Sequence, residues 1–541
     1  MNEPAFASRR SPVYARSGMV AASQPLAVAA GLEILGKGGS AADASVAVAA
    51  TLNVTEPTST GIGGDMFALF FDAQSQQVNA LNGSGRAPAA LTLERLHAEG
   101  LDALPPFHAY TVTVPGACAG WCDLIEKHGS LPLSAILSPA IRLAEQGFPV
   151  TPITAHFWER GVERQLKSAP NGSELTNGGR APAAGEIFRN PGLARTFRAI
   201  AESGRAAFYQ GEIAEAIASV VQQAGGCLSL DDLASHASTW ETPLSVTYRD
   251  HRVYECPPNG QGLAALLALN ILEGYDMESL EPLSAERLHL EIEALRLAFA
   301  DARWYVADPE FHDLPLAELL SKWYADERRK LIDPRRAKMD QVRGMPLASS
   351  DTVYFSVIDA AGNACSFINS NYMGFGTGIV PKGFGFTLQN RGHNFDLDPA
   401  HPNSLAPRKR PYHTIIPAMA TRERDGSLFA SFGVMGGFMQ PQGHIQVLSA
   451  LTDDELDPQA ALDLPRFCIE DGTAGGAVAM EDGIPDAVIA ELAGRGHPVF
   501  KVAGWERATF GRGQVIQRDP KTGVLTGGSD PRADGCAMGL I

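Results

Sequence analysis

Apolar residues recur every three or four positions through Leu288, Ile292, Leu295, Phe299 and Ala302. That period turns one stripe of a helix toward a core and predicts a helix from about Ala285 to Tyr305, with Ser284 as its N-cap. His289 and Glu293 stand one turn apart on it, either as a pair of ligands or, more simply, in a hydrogen bond on the helix surface. Nearer the start, Pro25 to Leu35 and Ala41 to Leu52 are Ala-rich and helical in pattern, joined by Gly36-Lys37-Gly38-Gly39-Ser40. A helix precedes these glycines, whereas a dinucleotide phosphate loop follows a strand. They therefore read as a C-cap followed by a second N-cap at Ser40. The unbroken apolar run Met66 to Phe71, after Thr60-Gly61-Ile62-Gly63-Gly64-Asp65, has the texture of a buried strand.

The texture changes after residue 330. Leu331 to Asp351 is polar, Pro-containing and aperiodic, so an exposed loop is expected. It stops at Thr352, where Val353 to Ile358 begins a strand; Asp359 to Asn363 is a turn and Ala364 to Ile368 the returning strand. A second hairpin is predicted from Thr414 to Ala420 and Leu428 to Val434, turning at Asp425-Gly426. Gly436-Gly437 then separates a strand from a helix over Pro441 to Leu451, with Pro441 in its first turn. No internal repeat or low-complexity tract is evident.

Composition narrows the class. In 541 residues, 45% are apolar and 19% charged, enough for a large core and incompatible with a disordered chain. The net charge of −17 argues against nucleic-acid and anionic-membrane partners, since nothing offsets phosphate repulsion. Met1 to Arg16 has no apolar stretch of the kind a secretory signal needs, and the longest apolar window, Leu263 to Leu272, is about half of a membrane span. A soluble, cytoplasmic protein is expected. Its seven cysteines are scattered and read as reduced thiols; only Cys118 and Cys122 are close, and no second ligand pair accompanies them, so no zinc site is expected.

Two places offer chemistry. If the Asp351–Thr352 bond breaks, Thr352 gains a free α-amine beside its own hydroxyl, and an α-amine titrating near ~7.7–8.0 can serve as that hydroxyl's base without a histidine. Gly436 and Gly437, at a strand-to-helix junction, can aim two backbone N–H groups at a developing oxyanion, although an ordinary tight turn has the same spacing. His393 is a conceivable base for Ser356 or Ser370, but neither serine sits in a nucleophile elbow. His393, His401 and His444 therefore read as supporting residues.

These residues, in this order, resemble the γ-glutamyltransferase (glutathione hydrolase) family of N-terminal-nucleophile hydrolases. The resemblance runs through Gly18-Met19-Val20-Ala21, Gly61-Ile62-Gly63-Gly64, Thr352-Val353-Tyr354-Phe355-Ser356, Phe375-Gly376-Thr377-Gly378-Ile379, Lys409-Arg410-Pro411, Gly436-Gly437 and Ser529-Asp530-Pro531-Arg532. It implies an α/β (α+β) fold, a four-layer αββα sandwich built jointly by a large segment, 1–351, and a small segment, 352–541. It further implies a precursor in which Thr352 attacks the Asp351 carbonyl, yielding two fragments that stay associated. Thr352 is then the nucleophile, Ser370 orients its hydroxyl, Gly436 and Gly437 form the oxyanion hole, and neither metal nor organic cofactor is needed. Association of two such pairs into a dimer of heterodimers stays open.

The pocket departs from the glutathione-cleaving pattern. Where an Asp holds the substrate α-ammonium, this chain has Asn394, and a nearby Gln position is Arg391. An amide cannot ion-pair an ammonium, and a guanidinium repels one. The two serines that grip the glutamyl carboxylate appear as His413 and Thr414. The usual arginine aligns with Ser84, leaving Arg86 as the nearby cation. Val353 and Tyr372 also replace polar residues. The site thus suits a small anionic amide without an α-amine, held by Arg391 with help from His413 or Arg86, and the chain resembles the bacterial branch that includes oxamate amidohydrolase. Glutamyl transfer, acylation chemistry on a β-lactam side-chain amide, and an unprocessed relative that only binds a metabolite are the alternatives.

Overall fold

The runs predicted as strands are apolar at successive positions, a pattern that only a sheet covered on both faces can bury. A computed structural model, describing residues 10–339 and 352–541, meets that demand with two seven-stranded antiparallel sheets. One sheet runs in the order Cys536–Gly539, Met19–Ala22, Val353–Ile358, Ala364–Ser370, Asp65–Asp72, Gln77–Gly83, Thr239–Glu241. The other runs Val13–Ala15, Leu525–Ser529, Arg512–Arg518, Leu428–Met435, Ala418–Arg422, His251–Glu255, Leu244–Tyr248. Their inner faces pack on each other, and helices cover both outer faces. Pro25–Gly36 and Ala41–Thr55 lie on the first sheet; Gly262–Leu272 and Met439–Thr452 lie on the second, with Ala285–Tyr305 packed against Gly262–Leu272. This is the αββα sandwich. Each sheet draws strands from both sides of the 351/352 junction, so segments 1–351 and 352–541 build one core together.

Local physics places the elements. Ser40 Oγ accepts the Asp43 N–H at 3.2 Å while Asp43 accepts the Ser40 N–H at 2.8 Å, a reciprocal cap on a helix whose every residue is buried. The sheets approach closely where Gly433 faces Tyr354: a Cβ there would lie 2.6 Å from the phenol ring, so only glycine fits.

Three expectations change. Helix Ala285–Tyr305 keeps its bounds and its Ser284 cap, but it is buried around most of its circumference, not along one stripe. Part of its charge is paired in the interior, Arg287 reaching both Asp454 oxygens at 2.7 and 2.8 Å. His289 and Glu293 are accordingly buried; His289 Nδ1 lies 2.7 Å from His497 Nε2, and His289 Nε2 donates to the Asp333 carbonyl. In the second hairpin the strand begins at Ala418, because Thr414 to Ile416 is claimed by side chains: Gln261 donates to the Thr414 carbonyl, and Gln440 accepts from the Ile416 N–H. Of the predicted loop 331–351, residues 331–339 are irregular but anchored, Ile332 being buried; 340–351, and with them Asp351, lie outside the described residues. All seven cysteines are free thiols, and among the described residues no helix is long and apolar enough to cross a membrane.

Candidate active site

The first hairpin's register creates the centre of the site. Val353 pairs with Asn369, so Thr352 and Ser370 stand opposite each other at the open end of the two strands. Thr352 Oγ1 lies 3.2 Å from Ser370 Oγ, and both residues are fully buried. Ser370 Oγ also accepts the Tyr372 N–H at 2.8 Å and lies 3.4 Å from Arg391 Nη2.

Arg391 opens the short turn Arg391–Asn394. Its side chain is completely buried, donates to Thr414 Oγ1 at 2.7 Å, and stacks over the Tyr372 ring at 4.2 Å. Tyr372 adopts φ +81°, unusual for a residue with a side chain, and that strained backbone turns its ring under the guanidinium. Among the described residues no carboxylate lies within ion-pair distance of Arg391, and its Nε has no acceptor. Burial pushes its pKa down to about 10, against the pull of Tyr372 and Asp65. Asn394 donates to the Tyr412 carbonyl at 3.0 Å, while among the described residues its Oδ1 and the Tyr372 hydroxyl are buried without a well-aligned partner.

The Gly436-Gly437 turn is bound into the same network. Gln261 Nε2 donates to both the Thr414 carbonyl (2.6 Å) and the Gly437 carbonyl (2.8 Å), and Gln261 Oε1 accepts from Tyr412. Gly436 and Gly437 have φ of +133° and +61°, conformations suited to glycine, and among the described residues neither N–H meets a protein acceptor. Arg303 packs over Phe438, 3.7 Å from its ring centre, bracing this turn. Gly436 lines a cavity of about 870 Å³ together with Met373, Phe375, Met435, Phe438 and Met439.

Thr352, Ser370, Arg391, Tyr372, Thr414 and the glycine turn thus form one connected set, with Asn394 beside them. His413 joins it differently from expectation: its Nε2 donates to Asp65 Oδ2 at 3.0 Å, and burial beside Arg391 and Arg410 holds its pKa far below the usual imidazole range. It is neutral and engaged. Arg86 is a correction. Its guanidinium pairs with Glu310 at 2.8 Å on a separate cavity shared with His236, although the adjacent Gly85 N–H does reach Asp65. His393, His401 and His444 each serve neighbours, at the Leu104 carbonyl, the Asn403 N–H and Glu255 respectively.

Sequence reasoning missed Asp65, Gln389 and Gln261. Asp65 is a fully buried carboxylate at the head of an apolar strand, and an acid directly before such a run was the available signal. Gln261 carried none, since its role depends on partners more than 150 residues away. Among the described residues no cluster of His, Cys, Asp and Glu is arranged to hold a metal.

Two facing antiparallel sheets between helical layers, with a hydroxyl at the head of a central strand, define the class of N-terminal-nucleophile hydrolases. The sequence matches the family model Gamma-glutamyltranspeptidase over residues 27–540, and the chain belongs to that family of self-processing hydrolases. It is 39% identical to the glutathione hydrolase-like YwrD proenzyme of Bacillus subtilis (strain 168), over 96% of this chain and 98% of that one. It is 34% identical to the oxamate amidohydrolase proenzyme of Klebsiella pneumoniae, over 96% and 98% of the two chains. The crystal structure of cephalosporin acylase from Bacillus halodurans superposes with a TM-score of 0.92 at 46% identity, covering 100% of this chain and 99% of that one.

Proposed function

We propose that this enzyme is a self-processing N-terminal-threonine amidohydrolase that cleaves a small, carboxylate-bearing, oxamate-like amide. Thr352 Oγ1 attacks the Asp351 carbonyl, the amide becomes an ester, and water opens it to a 351-residue and a 190-residue fragment. The freed α-amine then takes the Oγ1 proton as the hydroxyl attacks the substrate carbonyl. The tetrahedral oxyanion is held by the Gly436 and Gly437 N–H groups, the protonated amine hands its proton to the departing nitrogen, and water returns the acyl-enzyme ester to the free hydroxyl. Ser370 orients Oγ1 throughout.

The observation that carries the substrate class is Arg391: a fully buried guanidinium, linked through Ser370 to Thr352 and lacking a carboxylate partner among the described residues. Burying a cation this way is expensive unless an anion completes it, and the substrate carboxylate is that anion. A glutamyl α-ammonium fits poorly, because Asn394 offers it no charge.

A denaturing gel with N-terminal sequencing tests the chemistry; the expected result is a 190-residue fragment beginning Thr352-Val353-Tyr354. Ammonia release from oxamate without turnover of glutathione or γ-glutamyl anilides is the expected substrate pattern. One uncut chain in active material, or the reverse selectivity, overturns the proposal. A second reading, an acylase for a bulkier amide, is favoured by the cavity beside Gly436, which far exceeds the room oxamate needs. Faster release of a bulky amine than of ammonia from the same anionic acyl group selects it.

A further inference from the structure

Gln261 stands just before the helix Gly262–Leu272, is fully buried, and directs both of its side-chain donors into the site. Its backbone N–H donates to the His413 carbonyl at 2.9 Å, and its Oε1 accepts the Tyr412 hydroxyl at 3.0 Å. Its Nε2 donates to the Thr414 carbonyl at 2.6 Å and to the Gly437 carbonyl at 2.8 Å. Two carbonyls can meet only the NH2 group, so one orientation of the amide satisfies this network. The two carbonyls belong to different parts of the machinery. Thr414 is the residue whose Oγ1 receives Arg391. Gly437 belongs to the turn between strand and helix. There the Gly436 carbonyl accepts the Met439 N–H at 3.0 Å, turned into the first turn of helix Met439–Thr452. In a planar trans peptide the Gly437 N–H then points the opposite way, out of the helix. The helix holds the Gly437 carbonyl only through the Gln440 N–H at 3.2 Å, and Gln261 makes the shorter bond to it. Two successive glycines, at φ +133° and +61°, have no side chains of their own to keep that pose.

We propose that Gln261 is a positioning residue that fixes the separation between the Gly436-Gly437 turn and the Thr414–Arg391 arm, so that the oxyanion donors and the carboxylate receptor engage the two ends of one acyl group together. This rests on the reading of Gly436 and Gly437 as the oxyanion hole and of Arg391 as the receptor. The Gln261 amide is neutral and moves no proton. Its part is to hold the N–H groups of the turn where negative charge develops, an interaction that is strongest in the transition state. Loss of its two donors is therefore felt in kcat, while the substrate carboxylate still finds Arg391.

The test is steady-state kinetics on the processed enzyme, with oxamate, succinamate and a γ-glutamyl anilide as probes and the one that the parent turns over fastest as the substrate. Gln261→Met keeps the length of the side chain and removes both donors. The expected result is a kcat about 10–100-fold lower with KM within about threefold of the parent. In Gln261→Glu an ionised carboxylate faces two carbonyls, whereas the protonated acid again offers one donor, and burial raises its pKa toward neutrality. The kcat of Gln261→Glu relative to that of the parent is expected to rise as pH falls from about 8 to about 6, and this ratio decides the matter if Gln261→Met does not fold. An unchanged kcat in Gln261→Met, or a KM that rises at least as much as kcat falls, overturns the positioning role. A Gln261→Glu ratio that ignores pH does the same. A parent that turns over none of the three amides, or a Thr352→Ala enzyme that is as active as the parent, overturns the underlying reading, and the proposal with it.

Discussion

Two buried arginines in this molecule live in opposite circumstances. Arg532, in Ser529-Asp530-Pro531-Arg532, has an acceptor for each of its five N–H groups: both Glu481 oxygens, one Asp530 oxygen, and the Leu462 and Leu464 carbonyls. Arg466 takes the other Asp530 oxygen at 2.8 Å. The two carboxylates raise the proton affinity of Arg532 well above that of a free guanidinium. Arg391, equally buried, reaches two hydroxyls and an aromatic face but no carboxylate among the described residues, and its pKa falls. The contrast separates a cation that fastens the fold from one held ready for a ligand. Burial alone distinguishes nothing; the inventory of acceptors does.

The same substitution at both positions is the sharpest way to break that contrast. Arg532→Met strands Glu481 and Asp530 in the interior and is expected to cost about 3–5 kcal/mol in urea unfolding; a loss below about 1 kcal/mol removes the distinction. Among the described residues Arg391→Met strands no carboxylate by direct contact, so folding stability is expected to hold or rise, while kcat/KM on anionic amides drops by the equivalent of ~2–5 kcal/mol. Equal losses of stability at both positions contradict the comparison. The smallest effect belongs to Tyr372→Phe, which removes a buried hydroxyl with no well-aligned partner among the described residues and keeps the ring under Arg391. Stability within about 0.5 kcal/mol of the parent is expected, with an unchanged KM for the anionic substrate.

Much of this was legible in the chain. The hairpin carrying Thr352 and Ser370 follows from largely unbroken apolar runs on either side of Asp359–Asn363, and its register fixes the hydroxyl pair without any long-range information. The helix at Ala285–Tyr305 was marked by its period and its cap. Arg391 stood out because a cation replaces a neutral residue in a loop that the family resemblance places at the pocket. What failed were side-chain directions in irregular segments. Arg86 and Gly85 are neighbours in sequence, but one faces Glu310 and the other Asp65, and no local pattern says which. Thr414–Ile416 has strand composition, yet Gln261 and Gln440 occupy the backbone groups a sheet neighbour would use. Those constraints come from residues far off in sequence, where periodicity carries no message.

The strand that begins at Val353 has Met19–Ala22 along one edge, and Ala364–Ser370 separates it from Asp65–Asp72. On the opposite sheet, Ala418–Arg422 is zipped to His251–Glu255 in the same alternating manner. A nick at residue 351 therefore frees no detachable piece. Parting the halves means unzipping both ladders, so separation and denaturation are one event, and the stability of the nicked enzyme falls with dilution.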